Sequence, residues 1–149
     1  MILVSACLLG INCKYNGKNN YNDKVIEFIK NKKFIPVCPE QLGGLETPRK
    51  PSEIILKNNK KYVYNIENKD VTREFKKGAL ETLYIAKKFK CQLAILKANS
   101  PSCGCGKIYD GSFSSKLVNG NGITAQLLID NKIKVVSEED ILNENLKEG

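Results

Sequence analysis

Six Cys and no His stand in this 149-residue chain, so the candidate chemistry is that of thiols, carboxylates, hydroxyls and backbone. The absence of His excludes a His general base, a His-containing zinc site and a Cys–His nucleophile pair. A chain of this length buries a core without stapling, so the Cys content calls for a reason other than disulfides. Cys7 and Cys13 form a C-x5-C pair near the start, Cys38 stands alone in Val37-Cys38-Pro39-Glu40, and Cys103 and Cys105 form a C-x-C pair. These positions lie in polar, Gly- and Pro-rich turns rather than on apolar faces, which argues against core filling. Cys91 is the exception, and it reads as a small buried hydrophobe. A structural zinc is a second reading, but it usually announces itself by paired C-x-x-C knuckles. Thiolates from three separate loops, with no imidazole, suit an iron–sulfur cluster better.

Acid–base candidates flank the thiols. Glu40 is two residues after Cys38, and Ser100 and Ser102 precede Cys103. Their hydroxyls could relay a proton or donate to a cluster, or they could satisfy turn backbone, Ser102 more readily than Ser100. Gly104 and Gly106 permit close backbone approach to a bulky inorganic group. The Gly43-Gly44 pair and the Asn119 to Gly122 stretch offer backbone N–H groups to an anion or a base edge, a weak signal without a phosphate-loop spacing.

The elements that must position these residues alternate strand and helix. Ile2 to Ser5 reads as a buried strand, Asp23 to about Lys32 as a helix capped by Asp23, and Phe34 to Val37 as a strand kept from a central place by Pro36. Ile54 to Leu56 and Tyr62 to Tyr64 read as a hairpin at the side of the domain, turning at Asn58-Asn59. A long helix from Asp70 or Thr72 to about Lys90 presents Phe75, Ala79, Leu83, Ala86 and Phe89. Leu93 to Leu96 is a strand, Asn99 to Gly122 a long irregular segment of functional character, and Ile123 to Ile129 a short helix. Ile133 to Val136 is the last strand. A terminal helix, Glu138 to Leu146, follows with Ser137 and Asp140 as a capping box. The expectation is an α/β fold: a single compact domain over residues 1–149, with a mainly parallel Rossmann-like sheet flanked by helices and a side β-hairpin. In such a sheet the loops leaving the carboxyl ends of the strands meet in one crevice. Three strand exits would then deliver thiols to one place.

The formal net charge is +8. Only Arg49 and Arg73 are arginines, the lysines are scattered, and aromatic interleaving is missing, so a solvated surface is favoured over a nucleic-acid face. The apolar start is short and lacks a basic flank, and no run approaches a membrane span, which points to the cytoplasm.

Several blocks together carry a resemblance. Ser5-Ala6-Cys7-Leu8-Leu9-Gly10, Lys14-Tyr15-Asn16-Gly17 and Pro36-Val37-Cys38-Pro39-Glu40 stand in the first part of the chain. Gly43-Gly44-Leu45, Pro48-Arg49, Ser100-Pro101-Ser102-Cys103-Gly104 and Ile108-Tyr109-Asp110-Gly111 follow in order. From Ile2 to about Leu128 the chain resembles the thiouracil desulfidase family, small bacterial proteins once catalogued as domain of unknown function 523. The resemblance implies a [4Fe–4S] cluster on Cys7, Cys38 and Cys103, with the fourth iron open to the sulfur of a thiolated uracil. It implies Glu40 as the acid–base residue and Ser100 as the catalytic hydroxyl. The implied reaction is non-redox: water attacks the ring carbon and hydrogen sulfide leaves. This chain has Lys14-Tyr15-Asn16 where the family usually has Arg-Tyr-Asp, so a carboxylate is lost at Asn16. Cys13 and Cys105 are further thiols, open to a different ligand choice or to a repair or sensing role. Two other functional classes stand beside this one: a non-catalytic iron–sulfur or zinc module that senses oxidants or carries sulfur, and an accessory acting on thiolated tRNA.

Overall fold

The computed structural model of the protein describes residues 1–141. Its centre is a four-stranded, all-parallel sheet in the order β2-β1-β5-β8. β1 (Ile2–Ser5) and β5 (Leu93–Leu96) are the inner strands, and all their residues are buried. This is why both read as unbroken apolar runs rather than alternating ones. β2 (Phe34–Val37) is an edge strand, where Pro36 faces Val4 without interrupting a central ladder. β8 (Lys134–Ser137) is the other edge.

Side chains of alternate strand residues feed two cores. Leu3, Ala94 and Leu96 pack with Leu83 and Ala86 of α3 (Thr72–Lys88) and with Ala125 and Leu128 of α4 (Ile123–Asp130). Ile2, Val4, Leu93 and Ile95 pack on the opposite face with Val25 and Ile29 of α1 (Asp23–Ile29). The result is the expected α/β domain with helices on both faces of a parallel sheet. Cys91 belongs to the first core and is 5% exposed.

Several boundaries differ from the sequence reading. Asn22, not Asp23, caps α1: its side-chain oxygen accepts the N–H groups of Lys24 and Val25. α3 ends at Lys88, and Phe89 is 52% exposed rather than part of the apolar face. The side hairpin of β3 (Ser52–Lys57) and β4 (Lys60–Asn65) turns at Asn58 and Asn59, both with positive φ, as a primed two-residue turn requires. The segment from Asn99 to Gly122 is not wholly irregular. It holds a second antiparallel hairpin, β6 (Lys107–Tyr109) paired with β7 (Leu117–Asn119). Its strands have three residues each and β7 is exposed throughout, so no alternation marks them in the sequence.

A short helix, α2 (Pro39–Leu42), follows β2, and α5 (Glu138–Ile141) follows β8. The capping box at α5 forms as expected: Ser137 Oγ accepts the Glu139 N–H at 3.1 Å, and Asp140 accepts the Ser137 N–H at 2.7 Å. The rest of the expected terminal helix, to Leu146, lies outside the described residues.

Candidate metal centre and active site

Because the sheet is all parallel, Ser5, Val37, Leu96 and Ser137 end their strands at one edge. The chain runs from β1 to β2 on one side and then crosses to β5 on the other, so the switch in strand order falls between β1 and β5. Crevices form at such points. A cavity of about 470 Å³ opens there, lined by Cys7, Cys13, Cys38, Cys103, Glu40 and Ser100 among others.

Each thiol is held by its own device. Cys7 lies in a single 3-10 turn, Ala6–Leu9, which Gly10 closes in the left-handed conformation, its φ at 92°. Cys38 occupies the residue before the first turn of α2, and its thiol donates to the Cys13 carbonyl at 3.8 Å. Cys103 sits in the turn after β5, where the Ser5 hydroxyl donates to its sulfur at 3.7 Å. That same Ser5 oxygen accepts the Lys97 N–H at 3.0 Å, so β1 and β5 are tied together beneath the site.

Glycine packing positions α2. A Cβ on Gly43 would lie 2.0 Å from the Glu74 carbonyl oxygen, and one on Gly78 would lie 1.9 Å from that of Pro39. The backbones of α2 and α3 therefore touch, which fixes the residues at the start of α2, Cys38 and Glu40. Gly43 and Gly44 thus serve packing and chain reversal. Their N–H groups are spent on Pro39 and Gln41 carbonyls, not offered to an anion. The same correction applies to the Asn119–Gly122 stretch, whose Gly120 and Gly122 N–H groups bond the Gly106 and Gly104 carbonyls. Gly104 likewise is small because it packs on the Ser100 and Lys107 carbonyls, and neither it nor Gly106 lines the cavity.

Glu40 reaches into the cavity and pairs with Arg49 at 3.0 Å. Arg49 also donates to the Cys13 carbonyl at 2.9 Å and to Thr47 Oγ1 at 2.9 Å. It is the residue that sequence reasoning left without a role. The available signal was its rarity, an Arg among lysines beside Gly43-Gly44 and Pro48. Ser100 lines the cavity, and its Oγ accepts the N–H groups of Cys103 at 2.7 Å and Ser102 at 3.0 Å. It both shapes the Cys103 turn and keeps a hydroxyl proton to donate. Ser102 faces away and shares a hydrogen bond with Thr124.

The thiols differ in acidity. The Cys13 thiol, whose single proton either neighbouring sulfur can take up as a hydrogen bond, lowers the pKa of both Cys7 and Cys38, that of Cys38 to about 7. Cys13 itself is correspondingly raised. Burial raises Cys103, the Glu40 charge adds to the effect, and the Ser5 hydroxyl opposes it. Cys105 does not join this group. Its thiol faces the Val135 carbonyl at 3.6 Å, against β8.

A model of the 2-thiouracil desulfurase family matches residues 2–140. The chain belongs to that family. The blocks from Ile2 to Leu128 that carry the resemblance therefore mark the family correctly. A Bacillus subtilis (strain 168) protein, named Uncharacterized protein YbbK, is 44% identical over 147 residues, covering 95% of this chain and 97% of its own length. Among solved structures, the [4Fe–4S]-dependent thiouracil desulfidase TudS superimposes with a TM-score of 0.84 at 37% identity, over 93% of this chain and 91% of that one.

Within this desulfurase-family fold the donor set can be tested against a cluster. No three Cys, Asp or Glu among the described residues converge as the ligands of a single metal ion. Instead, thiols from three loops line a cavity with room for a larger group, and two of them are shifted toward the thiolate form that ligation needs. Soft sulfur donors spread over such a space fit a polynuclear iron–sulfur group and do not fit a zinc knuckle.

Proposed function

We propose that the protein is a thiouracil desulfidase that converts a thiolated pyrimidine, 4-thiouracil or a close derivative, with water to uracil and hydrogen sulfide. Residues 1–149 then form one desulfidase domain acting on a small molecule in the cytoplasm. Among the described residues no helix is long and apolar enough to cross a membrane. The observation that carries this reading is the meeting of Cys7, Cys38, Cys103 and the Arg49-held Glu40 in one cavity.

In this reading Cys7, Cys38 and Cys103 would hold a [4Fe–4S] cluster, three thiolates for four irons. When bound, the cluster supplies Lewis acidity at a soft site suited to sulfur. The chain's own residues do the rest. Glu40, oriented by Arg49, accepts the proton of the water that attacks the ring carbon. Ser100 donates its hydroxyl proton toward substrate or water while its oxygen stays on the Cys103 turn. Water adds at carbon, the C–S bond breaks, and the two protons of the water pass by way of Glu40 and Ser100 to the departing sulfur, which leaves as hydrogen sulfide. No electrons are exchanged with an outside donor.

Anaerobic purification with iron and sulfide analysis, followed by sulfide release from 4-thiouracil, tests the proposal. A brown protein with about four irons and four sulfides per chain, releasing sulfide and forming uracil, is the expected result. Zinc in an iron-replete preparation, or a fully loaded protein inert toward every thiolated pyrimidine, would overturn it in favour of the sensor or carrier class.

A further inference from the structure

The turn joining β6 to β7 borders the cavity, and its backbone is unusual for its sequence. Phe113 has φ of 56° and Ser115 φ of 62°, both in the left-handed region. For a bulky aromatic residue this is a true outlier, and it persists only where the surroundings impose it. Glu53 of β3 imposes it. Glu53 is 8% exposed, and its Oε1 accepts the N–H groups of Gly111 at 2.9 Å and of Phe113 at 3.1 Å. Gly111 presses the turn onto β3 so closely that a Cβ there would lie 2.7 Å from the Ile54 carbonyl oxygen. Asp110, beside Gly111, accepts the N–H and O–H of Ser112 and donates its own N–H to the Lys116 carbonyl across the turn.

Glycine would take the Phe113 conformation without steric cost. The fold instead dedicates a largely buried carboxylate to holding an aromatic residue there. Phe113 is only partly buried and lines the same cavity as Glu40, Ser100 and Cys103. An aromatic side chain on a constrained backbone, in the cavity that also holds Glu40 and Ser100, suits a planar heteroaromatic ring, which stacks on it at little entropic cost.

We propose that this turn is a preformed wall of the substrate site: Phe113 stacks on the ring of the thiolated pyrimidine, and Glu53 is the positioning residue that holds it there. The inference rests on the desulfidase reading above and adds the element that recognises the ring. It predicts selectivity for planar aromatic thiocarbonyl compounds over open-chain thioamides.

The test uses cluster-loaded protein at equal iron content and measures kcat and KM for 4-thiouracil and the affinity for uracil. Phe113→Ala should raise KM and weaken uracil binding roughly 5- to 150-fold, the weight of one base–aromatic stack. Phe113→Tyr should restore both. Phe113→Gly should weaken binding as Ala does while leaving the thermal midpoint unchanged or higher, since it relieves the backbone; a purely structural Phe would lower both. Glu53→Ala should reproduce the binding defect, and Glu53→Gln, whose amide oxygen still accepts, should largely avoid it. Unchanged KM and uracil affinity in Phe113→Ala, with an active wild type, would overturn the wall alone. A loaded wild type that neither binds uracil nor releases sulfide would overturn the desulfidase reading and the wall with it.

Discussion

Arg49 Nη2 lies 3.0 Å from Glu40 Oε2, and the same nitrogen donates to the Cys13 carbonyl at 2.9 Å. One guanidinium thus joins the Glu40 carboxylate to the loop that carries Cys13 and follows Cys7. The fork geometry matters, because Nη1 is at the same time bonded to Thr47 Oγ1. Arg49→Met should lower turnover about 10- to 100-fold, the usual cost of losing an orienting partner at a metal site. Arg49→Lys should recover only part, because one ammonium does not span Glu40, Cys13 and Thr47 together. Sulfide release at equal iron content is the measurement, and wild-type turnover in Arg49→Met would remove the pair from the mechanism.

Glu40→Gln keeps the size of the side chain and removes its ability to accept a proton. Cluster content should survive while turnover falls about 10²- to 10⁴-fold, the range of general acid–base catalysis. Ser100→Ala should behave differently. It removes a donor and also strips the Cys103 and Ser102 N–H groups of their acceptor, at about 1–3 kcal/mol for each group left unpaired. Lower cluster content should therefore accompany its loss of turnover. Full iron content with only a kinetic defect would assign Ser100 to chemistry alone.

Cysteine variants separate ligands from bystanders. Cys7→Ala, Cys38→Ala and Cys103→Ala should each lose or cripple the cluster, read as iron and sulfide per chain. Cys105→Ala should retain it, because that thiol faces Val135 outside the cavity. Cys91→Ala should cost only packing, about 1 kcal/mol. An empty site in Cys105→Ala, or a full one in Cys38→Ala, would refute the ligand assignment.

The parallel sheet and the meeting of thiols were legible in the sequence because buried strands announce themselves as short apolar runs. Their carboxyl ends must then share one edge. That Glu40 shares the cavity with Cys38 was legible from their two-residue separation. Contacts made by atoms that are absent were not legible: Gly43 and Gly78 matter because backbones touch where side chains would stand, and no periodicity records that. Arg49 was hidden because its partners, Glu40 at the start of α2 and Cys13 in the loop after β1, stand elsewhere in the chain. Phe113 was hidden because its conformation is set by Glu53, sixty residues away in the chain, and no local propensity predicts a left-handed Phe.

The glycine contact gives a stability prediction with a functional consequence. Gly43→Ala and Gly78→Ala each drive a methyl group into backbone rather than into a side chain that can move. Each should destabilise by about 1–3 kcal/mol, the cost of overpacking, and should displace α2 from α3. Since Cys38 and Glu40 sit at the start of α2, cluster loading and turnover should fall with the thermal midpoint. An unchanged midpoint in both variants would show that α2 is not fixed by this contact.

Salt dependence distinguishes a free base from RNA as the substrate. Binding through several phosphates releases counterions, so affinity falls steeply as salt rises. A neutral thiouracil releases few, and the +8 charge of the chain then contributes to solubility rather than recognition. The scattered lysines and the recessed cavity support the second case. Between about 50 and 200 mM salt, kcat/KM on 4-thiouracil should stay within a factor of about two, whereas a ligand held through many phosphate contacts loses about 10³- to 10⁵-fold over that range. The comparison is made with the free base and with a thiolated RNA in parallel. Turnover of the RNA alone, with a steep salt slope, would reassign the charge to recognition and the protein to thiolated tRNA.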